Sequence, residues 1–290
     1  MRNSARHTQY YYVQGVQKGL GKIHDVREEL GRASTAIASL TVLPAGRVVP
    51  GHVHANPYLA LHVLGSYRDY GDRGASPVNG PAALYFPAGS THEMAIGNAG
   101  LATIIIEFDS DALRRMVTGI DELKSPRFWL GGEIGRQARC LGQSWLAGTP
   151  SPQRFAQTTS LLKIALQSAP QPAAPQWLDE LETFVDAEYR SPDAERWAEK
   201  IGVTRPWLTR AYRGWRGEGL CEALRRRRVE AAAILLESSD KPLAEIAAET
   251  GFCDQSHMNR AFKKYLGRTP AIARTAHLGL AKEHVPVASS

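Results

Sequence analysis

The sequence has little cysteine and no long apolar run. Its 290 residues include three cysteines, Cys140, Cys221 and Cys253, which are isolated, odd in number and without metal-binding spacing. A disulfide framework is therefore not expected. No apolar run approaches the ~20 residues that a membrane-spanning helix needs, and no apolar signal-peptide core stands near the N-terminus. The sequence thus predicts a cytoplasmic protein without a membrane partner, long enough for two domains.

The net charge of the C-terminal part gives little information, because its basic and acidic side chains nearly balance. The chain has 35 Lys and Arg against 29 Asp and Glu, a net charge of +6. Residues 177–290 are almost neutral, with 18 basic against 17 acidic side chains. Placement is more informative, because eight arginines and only two glutamates fall within residues 205–228.

Four of those arginines are consecutive. A helical stripe through Leu224, Arg228 and Leu235 predicts that Arg228 points inward and pairs with a carboxylate. Arg225 and Arg226 are then candidates for phosphate contact, with a solvated helix face as the alternative.

The segment from Gly251 to Pro270 has the pattern of a turn followed by a two-faced helix. Its apolar residues recur at i, i+3, i+4, i+7 and i+8, as on one buried helical stripe. They are Met258, Ala261, Phe262, Tyr265 and Leu266. The other face suits base edges near its start and phosphates further along. It carries Gln255, Ser256, Asn259, Arg260, Lys263 and Lys264. A short helix with Leu243 and Ile246 would brace it as a helix-turn-helix; the alternative is an ordinary amphipathic helix pair.

The same pattern occurs about fifty residues upstream. Asp193 can cap a short helix with Trp197, and Gly202 supplies the turn. The second helix would bury Leu208, Ala211, Tyr212 and Trp215. It would expose Arg205, Pro206, Thr209, Arg210 and Arg213. A predicted connector from Leu220 to Glu237 would span roughly 27 Å, against ~34 Å between neighbouring major-groove segments.

Residues 177–275 resemble the DNA-binding region of the AraC/XylS family of bacterial transcription regulators. The motifs that carry the resemblance are Trp207-Leu208-x-Arg210-x-Tyr212, Arg228-Val229-x-x-Ala232-x-x-Leu235-Leu236, Ile246-Ala247-x-x-x-Gly251-Phe252, Gln255-Ser256-x-x-x-Arg260-Ala261-Phe262-Lys263-Lys264 and the closing Gly267 to Pro270. The resemblance implies base contacts from Arg205, Pro206, Thr209, Arg210, Gln255, Ser256, His257 and Arg260. Arg213, Arg225 and Lys263 complete the candidate DNA-binding set. Pro242 and Met258 depart from the family pattern at capping and packing positions, and Pro206 has no hydrogen-bonding side chain.

The N-terminal part has a different pattern. Short apolar runs between Gly, Pro and Asn clusters are typical of an antiparallel β-sandwich or barrel. The runs are Ala36 to Leu43, Tyr58 to Leu64, Ala82 to Phe86 and Leu101 to Phe108. The motifs Pro50-Gly51-His52-Val53-His54 and Pro87-Ala88-Gly89-Ser90-Thr91-His92 resemble the two halves of a cupin barrel, which commonly serves this family as the effector sensor.

The three histidines of these motifs, His52, His54 and His92, are the candidate effector-binding residues, and below they are called the histidine cluster. Alternate residues of a strand share a face, and three imidazoles suit Zn, Fe, Ni or Cu. A small-molecule site, a divalent metal site and hydrogen-bonded structural histidines all stay open. The cupin carboxylate is replaced by Tyr58 or Leu59, and Glu93 is a weak substitute. His62 falls on the same alternate-residue set as His54.

The predicted fold class is α+β multidomain, with an N-terminal antiparallel cupin-like β-barrel and a C-terminal all-α domain with two helix-turn-helix modules. The predicted parts are a sensor domain (1–112), a helical dimerisation region (113–168), a proline-stiffened linker (169–176), a DNA-binding domain (177–278) and a flexible tail (279–290). Tyr10 to Tyr12 would form a first barrel strand, or else an arm over the ligand.

The predicted function is ligand-responsive, sequence-specific regulation of transcription, without enzymatic activity. Its expected partners are double-stranded DNA, a small-molecule effector, a second copy of the chain and, for an activator, RNA polymerase. No cofactor is assigned; a divalent metal is a candidate. The alternative is a metal-dependent cupin enzyme with an accessory helical domain, motivated by the histidine cluster.

Overall fold

A computed structural model describes residues 26–71, 74–117, 124–147, 151–168 and 175–276 of the chain. The predictions for Tyr10 to Tyr12, for most of the linker and for the tail lie outside the described residues.

The described residues before α2 contain one antiparallel sheet of eight strands. The strands are β1 (Val26–Ala33), β2 (Ala36–Leu43), β3 (Val48–Val53), β4 (Tyr58–Gly71), β5 (Gly74–Asn79), β6 (Ala82–Phe86), β7 (Thr91–Phe108) and β8 (Arg127–Leu130). They follow the order β1-β2-β7-β4-β6-β8, with β3 added to β7 and β5 to β4. The antiparallel prediction is confirmed. Among the described strands this order leaves β1 and β8 as unjoined ends, so a closed barrel is not confirmed.

Strands β4 and β7 are long enough to pair with different neighbours along their length. The first half of β4 pairs with β6 and its second half with β5, while β7 pairs first with β3 and then with β2. The ladder between β4 and β7 is irregular at His62/Leu64 and Gly65/Tyr67, where extra residues bend the strand. These two strands therefore carry both halves of the sheet.

Both faces of the first half of β4, Tyr58 to Leu64, are buried, which explains the apolar run there, whereas Arg68 and Tyr70 in the second half are exposed. Leu59 and Leu61 belong to one apolar core, shared with the helices, and the alternate residues Tyr58 and Ala60 belong to a second core. Alternation along the strand separates the two sets.

The rest of the described chain is mostly helical, which confirms the predicted helical C-terminal part. The helices are α1 (Ser110–Met116), α2 (Gly132–Ala147), α3 (Pro152–Gln167), α4 (Gln176–Glu188), α5 (Ala194–Ile201), α6 (Arg205–Arg216), α7 (Leu220–Ser238), α8 (Leu243–Glu249), α9 (Gln255–Leu266) and α10 (Pro270–Ala276). Among the described helices, none has both the length and the apolar character to cross a bilayer. The three cysteines are free and exposed.

Strand β8 lies inside the region predicted to be helical. Phe128, Trp129 and Leu130 pair with β6, because aromatic and apolar residues fit a half-buried strand position at a sheet edge. Helix α2 then packs on β4 and β6, and α3 packs on α2.

Gly65→Ala is expected to destabilise the protein strongly. Gly65 has a φ of +88°, and a Cβ there would lie 1.9 Å from the Gly100 carbonyl oxygen, a backbone atom that cannot move aside. Gly89 has a similar φ of +81°, but a Cβ at Gly89 would meet no atom of the described residues within 4 Å. Gly89→Ala should therefore lose only the ~1–2 kcal/mol of a left-handed L residue, and Gly65→Ala at least twice as much. Equal losses in thermal unfolding, followed by circular dichroism, would contradict this.

Candidate DNA-binding helices and histidine cluster

The helix pair α5–α6 is shaped by local signals. Asp193 caps α5 by accepting a hydrogen bond from the Arg196 backbone N–H at 3.0 Å, and Gly202 ends the helix at a φ of +80°. In α6, Leu208 and Tyr212 are buried. The opposite side, called here the α6 face, carries four exposed residues and the half-buried Thr209. Its members are Arg205, Pro206, Thr209, Arg210 and Arg213.

The pair α8–α9 repeats this construction. Asp254 caps α9 by accepting from the His257 backbone N–H at 2.6 Å, and the five predicted apolar residues of α9 are buried. The α9 face consists of Gln255, Ser256, His257, Arg260 and Lys263. All are exposed except His257, which is half-buried with its ring 5.2 Å from that of Phe252. Lys264, on the edge of this face, pairs with Glu222 at 3.0 Å.

Helix α7 runs between the two pairs and forms part of both cores. Leu220, Ala223 and Leu224 pack with the apolar residues of α4, α5 and α6. Val229 and Ala233, further along, belong to the core that includes α8 and α9. Its 19 residues span roughly 28 Å. The α6 and α9 faces are thus attached to the two halves of one helix.

The prediction for the arginine run on α7 is wrong in two places. Arg226 is buried in ion pairs, so it is not a phosphate contact. Arg228 donates instead to the backbone carbonyls of Tyr189 at 2.8 Å and Arg190 at 3.3 Å. The buried side of α7 instead passes through Arg226 and Glu230, because this side packs against the sheet. Helical periodicity alone does not show where the sheet lies. Arg225 is half-exposed and stays a candidate.

A buried ionic network joins α7 to the N-terminal part. Arg226 lies between Glu218 at 3.1 Å and Glu230 at 2.9 Å. Glu230 also accepts from Arg227 at 2.6 Å, and Glu218 from Arg139 of α2 at 2.7 Å. We call these five residues the Arg226 network. Burial of so many charges is tolerable only when each is paired and hydrogen-bonded.

Glu230 reaches beyond this network into the sheet. It accepts a hydrogen bond from the backbone N–H of Gly65 on β4 at 2.8 Å. Burial alone would raise the pKa of Glu230, but Arg226, Arg227 and the Gly65 N–H together lower it to about 2. Glu230 therefore stays ionised, and it ties α7 directly to β4.

His62 lies beside the network and is fully buried. Its Nδ1 is 2.6 Å from the Gly80 carbonyl oxygen, and its Nε2 has no hydrogen-bond partner among the described residues. Burial lowers its pKa to about 4, and nearby Arg226 acts in the same direction. His62 is therefore a neutral structural histidine and lies away from the histidine cluster, with which sequence alternation had associated it.

The histidine cluster forms where β3 meets β7. His52 and His92 are direct partners in the β3–β7 register, and the His54 backbone bonds to that of Gly89 and Ser90. One ligand atom from each imidazole lies within 4.8 Å of the others. Sequence reasoning therefore found three side chains that the fold brings together.

Two neighbours of the histidine cluster complete its surroundings. Asp69 of β4 has a carboxylate oxygen 2.7 Å from His92 Nδ1, and both residues are buried. The Tyr58 hydroxyl lies 3.2 Å from His92 Nε2, and Phe86 stacks on Tyr58. In the sequence, Tyr58 was noted only because it stands where cupins have a carboxylate. Asp69 was missed, because its contact with His92 depends on the β4–β7 register. Glu93 is exposed and points away, because neighbouring strand residues face opposite sides.

The comparisons with known proteins concentrate on the helical part. Residues 197–276 match a family model described as a helix-turn-helix domain. The chain is 34% identical over 97 residues to the HTH-type transcriptional regulator GlxA of Rhizobium meliloti (strain 1021), covering 33% of this chain and 29% of GlxA. It is 32% identical over 74 residues to the regulatory protein SoxS of Salmonella typhimurium, covering 26% of this chain and 69% of SoxS.

A similarity to a solved structure extends over most of the chain. The structure of unsaturated-fatty-acid-bound ToxT from Vibrio cholerae covers 87% of this chain and 99% of ToxT, at 11% identity and a TM-score of 0.36.

Acid is expected to destabilise the protein through His62. Between pH 6.5 and about 4 the unfolded chain binds a proton at this position that the folded chain does not, so stability falls as the pH falls. The shift corresponds to at most about 3 kcal/mol. His62→Gln keeps a side-chain N–H for the Gly80 carbonyl and should give a flatter stability profile in urea unfolding across this window. Parallel profiles for the two proteins would contradict the assignment.

Glu230→Gln is expected to lower the free energy of unfolding by about 3–5 kcal/mol, because two buried guanidinium groups lose a negative partner. Glu245→Gln is a matched control, since Glu245 is 55% exposed and lies 3.7 Å from Lys241. Its effect should stay within about 0.5 kcal/mol. Urea unfolding of both variants at neutral pH is the measurement, and a comparable loss in each would show that the buried contact does not stabilise the fold.

Proposed function

This chain belongs to the AraC/XylS family of bacterial transcription regulators, and we propose that it is a ligand-responsive regulator that binds specific DNA sequences. The carrying observation is the pair of polar, exposed helix faces, α6 and α9, attached to the two halves of one helix. GlxA matches over less than a third of its length. Its regulated genes and any effector are therefore not carried over to this chain.

We assign the two helix pairs as helix-turn-helix modules that bind successive major-groove segments. Arg205, Thr209 and Arg210 would contact base edges in one groove, while Pro206 offers only apolar contact. In the next groove the base contacts would come from Gln255, Ser256, His257 and Arg260. Arg213, Arg225 and Lys263 would contact phosphates. A connector of roughly 28 Å is compatible with grooves ~34 Å apart, because the recognition helices extend sideways from its ends.

The N-terminal sheet is, in this proposal, a cupin-like sensor whose effector binds at the histidine cluster, with a small molecule or a divalent metal as its ligand. A ligand can shift the protein only by binding two arrangements with different affinity. Strand β4 supplies a physical connection. It contacts His92 through Asp69 and, four residues earlier, contacts α7 through Gly65. A change in the sheet at this strand would alter how both helix faces are held.

The remaining assignments follow from the same proposal. The divisions at 1–112, 113–168, 169–176, 177–278 and 279–290 are kept, with residues 127–130 added to the sheet of the first. A second copy of the chain would pack on the 113–168 region, where Ile164 of α3 is 50% exposed. A DNA regulator would act in the cytoplasm, and an activator would also contact RNA polymerase. The α6 and α9 faces favour a regulator over the alternative cupin enzyme, because catalysis gives them no role.

Arg210→Ala and Arg260→Ala should each weaken specific DNA binding by ~1–3 kcal/mol and relax base preference locally, because each removes a candidate base contact. Genomic fragments recovered with the full-length protein would supply the binding sites. Affinities would then be measured on a matched series of single-base variants of one site.

Arg32→Ala provides the control for these two variants. Arg32 is an exposed arginine of β1, paired with Glu29 at 3.0 Å. The control removes the same charge outside both helix faces and should keep parental affinity and base preference. Parental binding by Arg210→Ala or Arg260→Ala would remove that residue from the base-contact set. Parental binding by both variants would argue against base contacts from the α6 and α9 faces.

A further inference from the structure

We propose that the histidine cluster binds one divalent transition-metal ion of the zinc class, with Asp69 as the residue that orients His92. The inference rests on the proposed function only in regarding this cluster as the sensing site. The donor atoms, their hydrogen bonds and their exposure support it.

Two of the three donor atoms have the spacing that a small metal ion requires. Tetrahedral Zn–N bonds of ~2.0–2.1 Å place two ligand nitrogens about 3.3–3.4 Å apart. The Nε2 atoms of His54 and His92 lie 3.3 Å apart. The third imidazole, His52, has its ring centroid 4.6 Å from that of His92. One donor atom from each of the three imidazoles lies within 4.8 Å of the others, and His52 is half-exposed.

Hydrogen bonds at the far ring nitrogens aim the remaining lone pairs at the cluster. His92 Nδ1 donates to the Asp69 carboxylate at 2.7 Å, and His52 Nδ1 donates to the Pro50 carbonyl oxygen at 3.0 Å. In each ring this leaves Nε2 as the lone-pair nitrogen. A histidine that donates its other N–H to a carboxylate or carbonyl is the usual arrangement of a metal ligand, since it fixes the tautomer and raises ligand basicity.

A set of ordinary hydrogen bonds accounts less well for the same geometry. Once His92 donates Nδ1–H to Asp69, its Nε2 has a single lone pair. Both His54 Nε2 at 3.3 Å and the Tyr58 hydroxyl at 3.2 Å approach that atom. One lone pair does not make two good hydrogen bonds, whereas a cation can be shared by several converging donors.

The donor set also selects the kind of metal. Three neutral imidazoles suit zinc, copper, nickel or iron and disfavour magnesium and calcium, which take oxygen ligands. Three protein ligands leave a fourth position, and the half-exposed His52 and His54 let an ion enter from solvent. Phe86, 4.6 Å from the His92 ring, provides an apolar wall behind the site.

The test is zinc binding by full-length protein purified without an affinity tag and stripped with a chelator. Zinc content after re-equilibration gives the stoichiometry, and competition with a chromophoric chelator gives the affinity. We expect one zinc per chain. His54→Ala should weaken binding at least tenfold, and Asp69→Asn should weaken it 10- to 100-fold while the stoichiometry stays at one.

Val53→Thr is the matched control, because Val53 lies between His52 and His54 and is 57% exposed. It should bind zinc like the parent. Failure of the parent to bind zinc, or equal affinity in His54→Ala, would overturn the inference. A similar loss in Val53→Thr and His54→Ala would also overturn it, since it would point to disturbance of the strand.

DNA binding is measured separately on the same stripped protein. Selective DNA binding without any zinc binding would overturn the metal site and leave the proposed regulator in place. Zinc binding without selective DNA binding would support the metal site and argue against the proposed regulator.

Discussion

The contact between Glu230 and its three donors holds the two parts of the molecule in one arrangement. Its carboxylate accepts from Arg226, Arg227 and the Gly65 N–H, all inside the protein. Buried charges of this kind are expensive to separate, because removing one partner leaves the others desolvated and unpaired. Since α7 forms part of the core of both helix pairs, this contact sets how the α6 and α9 faces lie relative to the sheet.

Strand β4 extends that constraint to the histidine cluster. The first half of the strand is buried on both faces, and the strand bends near Gly65, where a left-handed backbone and the close Gly100 carbonyl exclude a side chain. Asp69 lies on the same strand beneath His92. A packed strand transmits displacement along its length better than a loop does, because its backbone is bonded on both sides. The histidine cluster and helix α7 therefore both contact strand β4.

Much of the helical part could be predicted because its signals are local. Asp193 and Asp254 cap helices within three residues of themselves, and Gly202 takes the left-handed conformation that ends a helix. The apolar stripe of α9 follows from the 3.6-residue repeat alone. The apolar runs that form strands could also be predicted, because the burial pattern of a strand depends on its own consecutive residues. His52, His54 and His92 were found because alternation and two short motifs place them together.

The sequence by itself determined the apolar strand segments of β2, β4, β6 and β7, the helices α5 to α9 with their polar faces, and which three histidines could converge. Tertiary structure alone decided that Arg226 is buried, that Asp69 orients His92 and that residues 127–130 add a strand to the sheet. These outcomes depend on register and on packing between residues far apart in the chain. Periodicity shows which side of a helix or strand is buried. It does not show which other element packs against that side, because this packing is set by the free energy of the whole fold.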